Sequence, residues 1–487
     1  MSRPPTRVPK LRLAILLLGA AGLLGGLDAA LLRLGVVAPV RSQPLAGQHG
    51  ILMVYGFLAT AIALERAIGM QAGNAPARWA YLSPVAGGLG TVLMITQAAG
   101  GLPASRAMPG FAWALSMLVF CVIYVAAWRR QPSRTILVQL LAAVAGLGGI
   151  VLWVAGFEVA TIVPWWATLL VLTIIGERME LARVAFAARR TETRILAEAV
   201  AMFALLPVAT AWPVVGYPLL GLALGTLMVD TLVHDVARRL VRSPNRLTRF
   251  MAASMLAGYG WALVAALVWV AAGPVFSGYW YDIVIHALTI GYALSMVVAH
   301  APVIVPAIVK RQVPYHPVMW VVAGLLQAGL LVRVLAGVRS GARAWQFGGA
   351  LSVVALLAFL VSTAVLVAAR DRLARASRRT HRDNLPVDPA EEVSADKLGH
   401  GDGSAVPEDH AADAASTGNT AVGDSDDDRV IASVDAMAAP LPERPTPPVP
   451  DENNLPVAEI GEKSGVTSGD MRTVPVSHDP DEGVPDE

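Results

Sequence analysis

The chain is poor in charge and poorer still in cysteine. Only 15% of its 487 residues are Asp, Glu, Lys or Arg, against 55% hydrophobic, a balance that a soluble domain of this size does not show. The single cysteine, Cys121, lies inside an apolar run. It excludes an intrachain disulfide, a thiolate-held iron–sulfur cluster and the CxxCH attachment of c-type haem. No Walker loop, HExxH or GxSxG motif stands in a supporting context, and nothing points to a nucleic-acid partner. A cleavable leader is not expected: the first apolar stretch, 11–35, is too long for a signal h-region and lacks a small-x-small cleavage site.

Aromatic residues are missing from one part of the chain altogether. From about Asp383 onward there is no Phe, Trp or Tyr, and the composition turns to Pro, Asp, Glu, Gly, Ser and Ala. Residues 1–382 hold 33 Lys and Arg against 11 Asp and Glu, whereas residues 383–487 hold 5 against 25. A segment so acidic and so poor in large apolar groups cannot offset its ordering entropy, so 383–487 is expected to be a disordered tail. Its alternative reading is a docking segment for a basic cytoplasmic partner.

What the rest of the chain has in abundance is long apolar runs. A transmembrane helix needs ~20 apolar residues to cross ~30 Å of hydrocarbon. Twelve stretches qualify, near 11–35, 49–70, 79–99, 111–128, 135–156, 159–180, 195–213, 214–235, 250–273, 282–306, 316–338 and 345–369. The fold class is therefore an all-α polytopic membrane protein with about twelve transmembrane helices. It divides into an N-terminal segment (1–10), a twelve-span domain (11–369), a basic juxtamembrane segment (370–382) and the acidic tail. Its first partner is the lipid bilayer. Of the 33 basic residues, 27 fall at one set of loops and both ends, and six (Arg33, Arg41, Arg106, Arg333, Arg339, Arg343) at the other. The positive-inside rule places both termini and the tail in the cytoplasm, with the protein in the plasma membrane.

Orientation gives each polar residue a depth, and ionisable groups at membrane depth are site hypotheses. His49 opens the second span and His286 lies one turn into the tenth, both near the outer face. Two neutral imidazoles from two helices at equal depth can bind one metal or clamp a haem iron. Asp28, at a similar level, could orient an imidazole through its second nitrogen. Arg339 and Arg343, with Arg333 close by, would suit haem propionates. The alternative is plain: histidines at helix ends are often interfacial, and exposed arginines snorkel.

His300 lies fourteen residues after His286, ~40° short of four full α-helical turns and ~21 Å along the axis. The spacing puts it on a similar face but too far for one mononuclear site. It could serve a second metal site or a proton path, or simply bond backbone freed by the kinks of Pro302 and Pro306. At the inner layer, Glu65, Arg66, Glu177, Arg178, Glu180, Arg183, Asp230, His234 and Asp235 form a charge cluster. Interhelical ion pairs are expected there, with Glu180 and Arg183 able to pair along one helix face; a proton or ion gate is the alternative.

Two stretches carry a family likeness. Gly47-Gln48-His49-Gly50, followed by Leu52-Met53-Val54-Tyr55-Gly56-Phe57, and His286-Ala287-Leu288-Thr289-Ile290-Gly291, continuing to Met296 and His300, resemble the histidine segments of NnrS-type membrane proteins. Those proteins bind haem and copper and are linked to nitric oxide stress. The plan is also similar to subunit I of haem-copper oxidases, with twelve spans, cytoplasmic termini and low-spin haem ligands on the second and tenth spans. The resemblance implies haem b or copper as cofactor, His49 and His286 as ligands, and a redox partner. The oxidase pattern further needs a His-x-His pair on the tenth span and three histidines on the sixth and seventh. Here the sixth and seventh spans have none, which excludes a binuclear oxygen-reducing centre. Two other functions fit the twelve-span plan: a secondary transporter of a small solute, and a scaffold whose acidic tail recruits partners.

Overall fold

A computed structural model describes residues 9–71, 77–182, 186, 189–311 and 313–383, without the side chains of 189 and 370–383. These all fall in the first of two compact units, Met1–Ala439. The acidic tail beyond Asp383, with its expected disorder, most of the N-terminal segment and Arg183 lie outside the described residues.

Every regular element among the described residues is helical. Twelve helices are long and apolar enough to cross a membrane, and the chain is an integral, multi-pass membrane protein. They are α1 (Lys10–Leu34), α2 (His49–Gly69), α3 (Arg78–Ala98), α4 (Ala107–Arg130), α5 (Arg134–Val154), α6 (Val159–Leu181), α7 (Arg190–Ala211), α8 (Pro213–His234), α9 (Arg246–Ala272), α10 (Gly278–Val309), α11 (Val318–Val338) and α12 (Ala342–Ala369). The expected spans agree with these to within a few residues. The helix of α12 runs on to Asp383, so the basic segment 370–382 continues the last helix. Between α7 and α8 the chain turns at Trp212 alone, with Pro213 starting α8. A Cβ on Gly216 would run into the backbone of Ala209, so only glycine lets the two helices meet there.

The helices pack as three successive runs of neighbours. Neighbours in sequence are neighbours in space along α3–α4–α5–α6 and α7–α8–α9–α10, and α11–α12 closes back onto α1–α2. One apolar cluster joins α1 to α6, a second joins α5 to α10, and a third joins α1, α2, α6, α9, α10, α11 and α12. The last helix of each run, α2, α6 or α10, stands at the junctions between clusters. These three are the most enclosed spans, with 61%, 67% and 67% of residues buried, against 28% for the peripheral α7 and α12.

Polar contacts sort the loops into two layers. In the arginine-rich layer, Arg12 bonds the Tyr81 hydroxyl at 2.9 Å, Arg66 pairs with Glu177 and Glu180, Arg134 with Glu192, and Arg178 with Asp235. The interhelical ion pairs expected of the inner charge cluster are thus present. Glu180 pairs with Arg66 of α2, while Arg183, its expected partner along the same helix, lies outside the described residues. In the opposite layer Ser42 bonds Ala98 O, Gln346 bonds Leu34 O, and Arg333 pairs with Asp282.

Candidate histidine site

The site is built from two of the three most enclosed helices, α2 and α10, both of which begin in the arginine-poor layer. Each carries its histidine just before a stretch of π-helix: Leu52–Ala59 follows His49 in α2, and Ala287–Leu294 follows His286 in α10. π-turns are rare and concentrate at functional positions. Each stretch is followed at once by a hydroxyl residue that donates to the carbonyl five residues back, Thr60 to Tyr55 O at 2.8 Å and Ser295 to Ile290 O at 3.4 Å. These bonds add side-chain support to the widened turns.

Close approach of α1 positions His49. A Cβ on Gly22 would lie 2.6 Å from the carbonyl carbon of Gly56, so the two backbones touch at a glycine pair. One turn further along α1, the Gly26 carbonyl accepts from His49 Nδ1 at 2.8 Å. On α10, His286 Nδ1 donates to the Asp282 carbonyl at 2.8 Å and lies 3.2 Å from Asp282 Oδ1.

The structure brings the two imidazoles together. Their ring centroids are 6.4 Å apart and their planes differ by 18°. Both Nδ1 atoms meet oxygens that can only accept, so both carry the proton and both Nε2 atoms present a lone pair. Among the described residues neither Nε2 has a hydrogen-bond partner. Two rings gripping one metal end to end, with ~2.1 Å bonds and ~1.1 Å from ring centre to nitrogen, would hold their centroids about 6.4 Å apart.

Asp282 is the residue that the sequence argument did not single out. Its carboxylate accepts from Arg333 Nε at 2.8 Å, Arg333 Nη2 at 2.7 Å and Trp345 Nε1 at 2.8 Å. The Arg333 guanidinium also lies over the Trp345 ring, 4.5 Å from its centre. Arg333 is thereby committed to Asp282. Arg339, just past the end of α11, and Arg343, in the first turn of α12, are exposed at the same end, and no bond from either reaches an imidazole.

Two expectations are corrected. Asp28 does not orient either imidazole: its Oδ1 accepts the N–H of Val40 at 2.9 Å, and a backbone carbonyl two residues earlier does the orienting. His300, already too distant by spacing to share the His286 site, does not offer a second metal site. Its Nδ1 donates to Met296 O at 2.7 Å, and its Nε2 accepts from Arg178 at 3.1 Å, which uses both ring nitrogens. The carbonyl it bonds is one turn back, not one freed by Pro302 or Pro306. The π-turn between His286 and His300 also shifts the register, which the straight-helix arithmetic could not include.

The donor set can be tested against the ligands it was expected to hold. Among the described residues no group of three or more His, Cys, Asp or Glu is placed to ligate a metal. Two imidazoles alone leave a protein-only tetrahedral site short of donors. Were a haem bound here, His49 and His286 are the residues that would hold its iron.

The family described as "Domain of unknown function (DUF8744)" matches residues 12–368, the whole of the twelve-span region. The chain belongs to that family. No curated protein matches it.

Proposed function

We propose that this family member is a haem protein of the plasma membrane, in which His49 and His286 hold a single b-type haem near the outer face. The observation that carries the reading is the pair of near-parallel imidazoles, with ring centroids 6.4 Å apart, each with its Nδ1 fixed and its Nε2 free. The twelve-span plan with histidines on α2 and α10 supports a kinship with NnrS-type proteins and, more distantly, with the oxidase subunit. With both axial positions taken by the protein, the iron would supply one-electron chemistry or sensing, as in electron transfer or a response to nitric oxide, in place of oxygen reduction. Copper alone fits less well, because the donor set stops at two.

The chain's own residues do the rest of the work. Gly26 and Asp282 hold the rings in one tautomer, and the enclosing helices limit water. Exposed Arg339 and Arg343 lie at the same end, where they would meet propionates or an anionic redox partner. The excess of basic residues in the other layer supports cytoplasmic termini.

The test is a dithionite-reduced minus air-oxidised absorption spectrum of the purified protein, with metal analysis on the same sample. A sharp b-type band, lost in both His49→Ala and His286→Ala while each variant still inserts, is expected. A featureless spectrum without bound metal would overturn the reading and leave transport as the leading alternative.

A further inference from the structure

We infer that Asp282 is a positioning residue for the histidine site: pinned by Arg333 and Trp345, it strengthens His286 as a donor to the iron. This rests on the haem reading above and adds to it a difference between the two axial ligands.

Three observations lead there. First, the Asp282 carboxylate is surrounded by donors. Arg333 donates two N–H groups and Trp345 one, and His286 Nδ1, whose N–H goes to the Asp282 carbonyl, lies 3.2 Å from Oδ1. A carboxylate has about four lone-pair positions, and three donated N–H groups, two of them from a guanidinium, hold it as an anionic acceptor. Second, the two histidines are held unequally. His49 Nδ1 donates to a neutral carbonyl, that of Gly26, whereas His286 Nδ1 lies between the Asp282 carbonyl at 2.8 Å and the charged Oδ1 at 3.2 Å. Third, the holder is rigid. Asp282 joins the start of α10 to Arg333 near the end of α11 and Trp345 at the start of α12, and Trp345 also packs against Tyr279.

A carboxylate behind an imidazole raises the basicity of the nitrogen that faces the metal. The stronger donor favours the oxidised iron and lowers the reduction potential. A purely structural role, tying α10 to α11, would leave the electronic character of His286 untouched, and that difference can be measured.

The near-infrared magnetic circular dichroism band of an oxidised bis-histidine haem reports axial donor strength, moving to shorter wavelength as the donors strengthen. It would be recorded with the midpoint potential at fixed pH on the haem-loaded protein, on Asp282→Asn and on the double variant Asp282→Asn/Arg333→Gln. The double variant avoids leaving a buried guanidinium without a partner. The unaltered protein should show a band at shorter wavelength than a neutral bis-imidazole haem. Both variants should move it to longer wavelength while keeping haem, and Asp282→Asn should shift the midpoint potential positive. A band in the double variant that coincides with that of the unaltered protein, at full haem content, would sink this inference and leave the haem site standing. An unaltered protein without haem would instead remove the site itself.

Discussion

Removing the carboxylate of Asp235 should loosen the arginine-rich layer. Arg178 donates Nε and Nη2 to Asp235 at 3.0 and 2.9 Å, Tyr259 its hydroxyl at 2.8 Å, and the Ala237 N–H a fourth bond at 2.8 Å. The two charged side chains are 7% and 0% exposed. The pair ties α6 to the turn after α8, while Tyr259 and His300 bring in α9 and α10. In Asp235→Leu the guanidinium stays buried with its counter-charge gone. Breaking a buried pair from one side costs about 3–5 kcal/mol. Tyr259→Phe removes one hydrogen bond to a charged group, about 1.5–3 kcal/mol. Arg178→Met combined with Asp235→Leu removes both charges and should recover most of the loss, since apolar replacement of a whole buried pair is often neutral. Tryptophan fluorescence during thermal melting in detergent is the assay. At ~2–4 °C per kcal/mol, Asp235→Leu should lower the midpoint by roughly 10 °C, and the double variant by less than half of that. If the two single losses simply add in the double variant, the residues are not coupled and the reasoning fails.

The same group predicts an acid limit. Burial pushes the Asp235 carboxyl upward, but the bonds from Arg178, the Ala237 N–H and Tyr259 outweigh it and hold the group below the usual carboxylate range. A depressed native value stabilises fully above the ordinary range and loses that contribution as pH falls toward the native value. The melting midpoint should therefore drop more steeply in acid than that of Asp235→Asn, and equal slopes would contradict this. Gly22→Val should cost about 1–3 kcal/mol by forcing α1 off Gly56. It should also disturb His49 through Gly26, so an unchanged melting midpoint would show that the helix contact is looser than described. In sealed inside-out vesicles protease should trim the acidic tail, and in right-side-out vesicles it should not; the reverse pattern would invert the orientation.

The spans were legible because ~20 consecutive apolar residues is a local property that needs no partner. The pairing of His49 with His286 was legible for a related reason: once loop charge sets the direction of each helix, two residues at the same distance from the same face fall in one layer. Asp282 was not legible. In the sequence it is one acid in the first turn of a span, while its partners Arg333 and Trp345 lie 51 and 63 residues away. A lone acid one helical turn before a candidate ligand, in a layer with few acids, was the available signal. Asp28 was favoured over it by depth alone, although Asp28 bonds the loop residue Val40 instead. The role of His300 was not legible either, because its partner Arg178 lies 122 residues away on another helix.

The sequence by itself therefore determined the number of spans, the alternation of charge between the two layers and the level at which each histidine lies. All of these follow from transfer of single segments between water and lipid. Tertiary structure alone decided which of the residues in one layer touch. Gly22 against Gly56 lets α1 reach far enough for the Gly26 carbonyl to turn His49, and Arg333 with Trp345 holds Asp282 beside His286. Depth is set by one helix and the membrane, whereas contact depends on how closely two helices can approach, which side chains on both decide together.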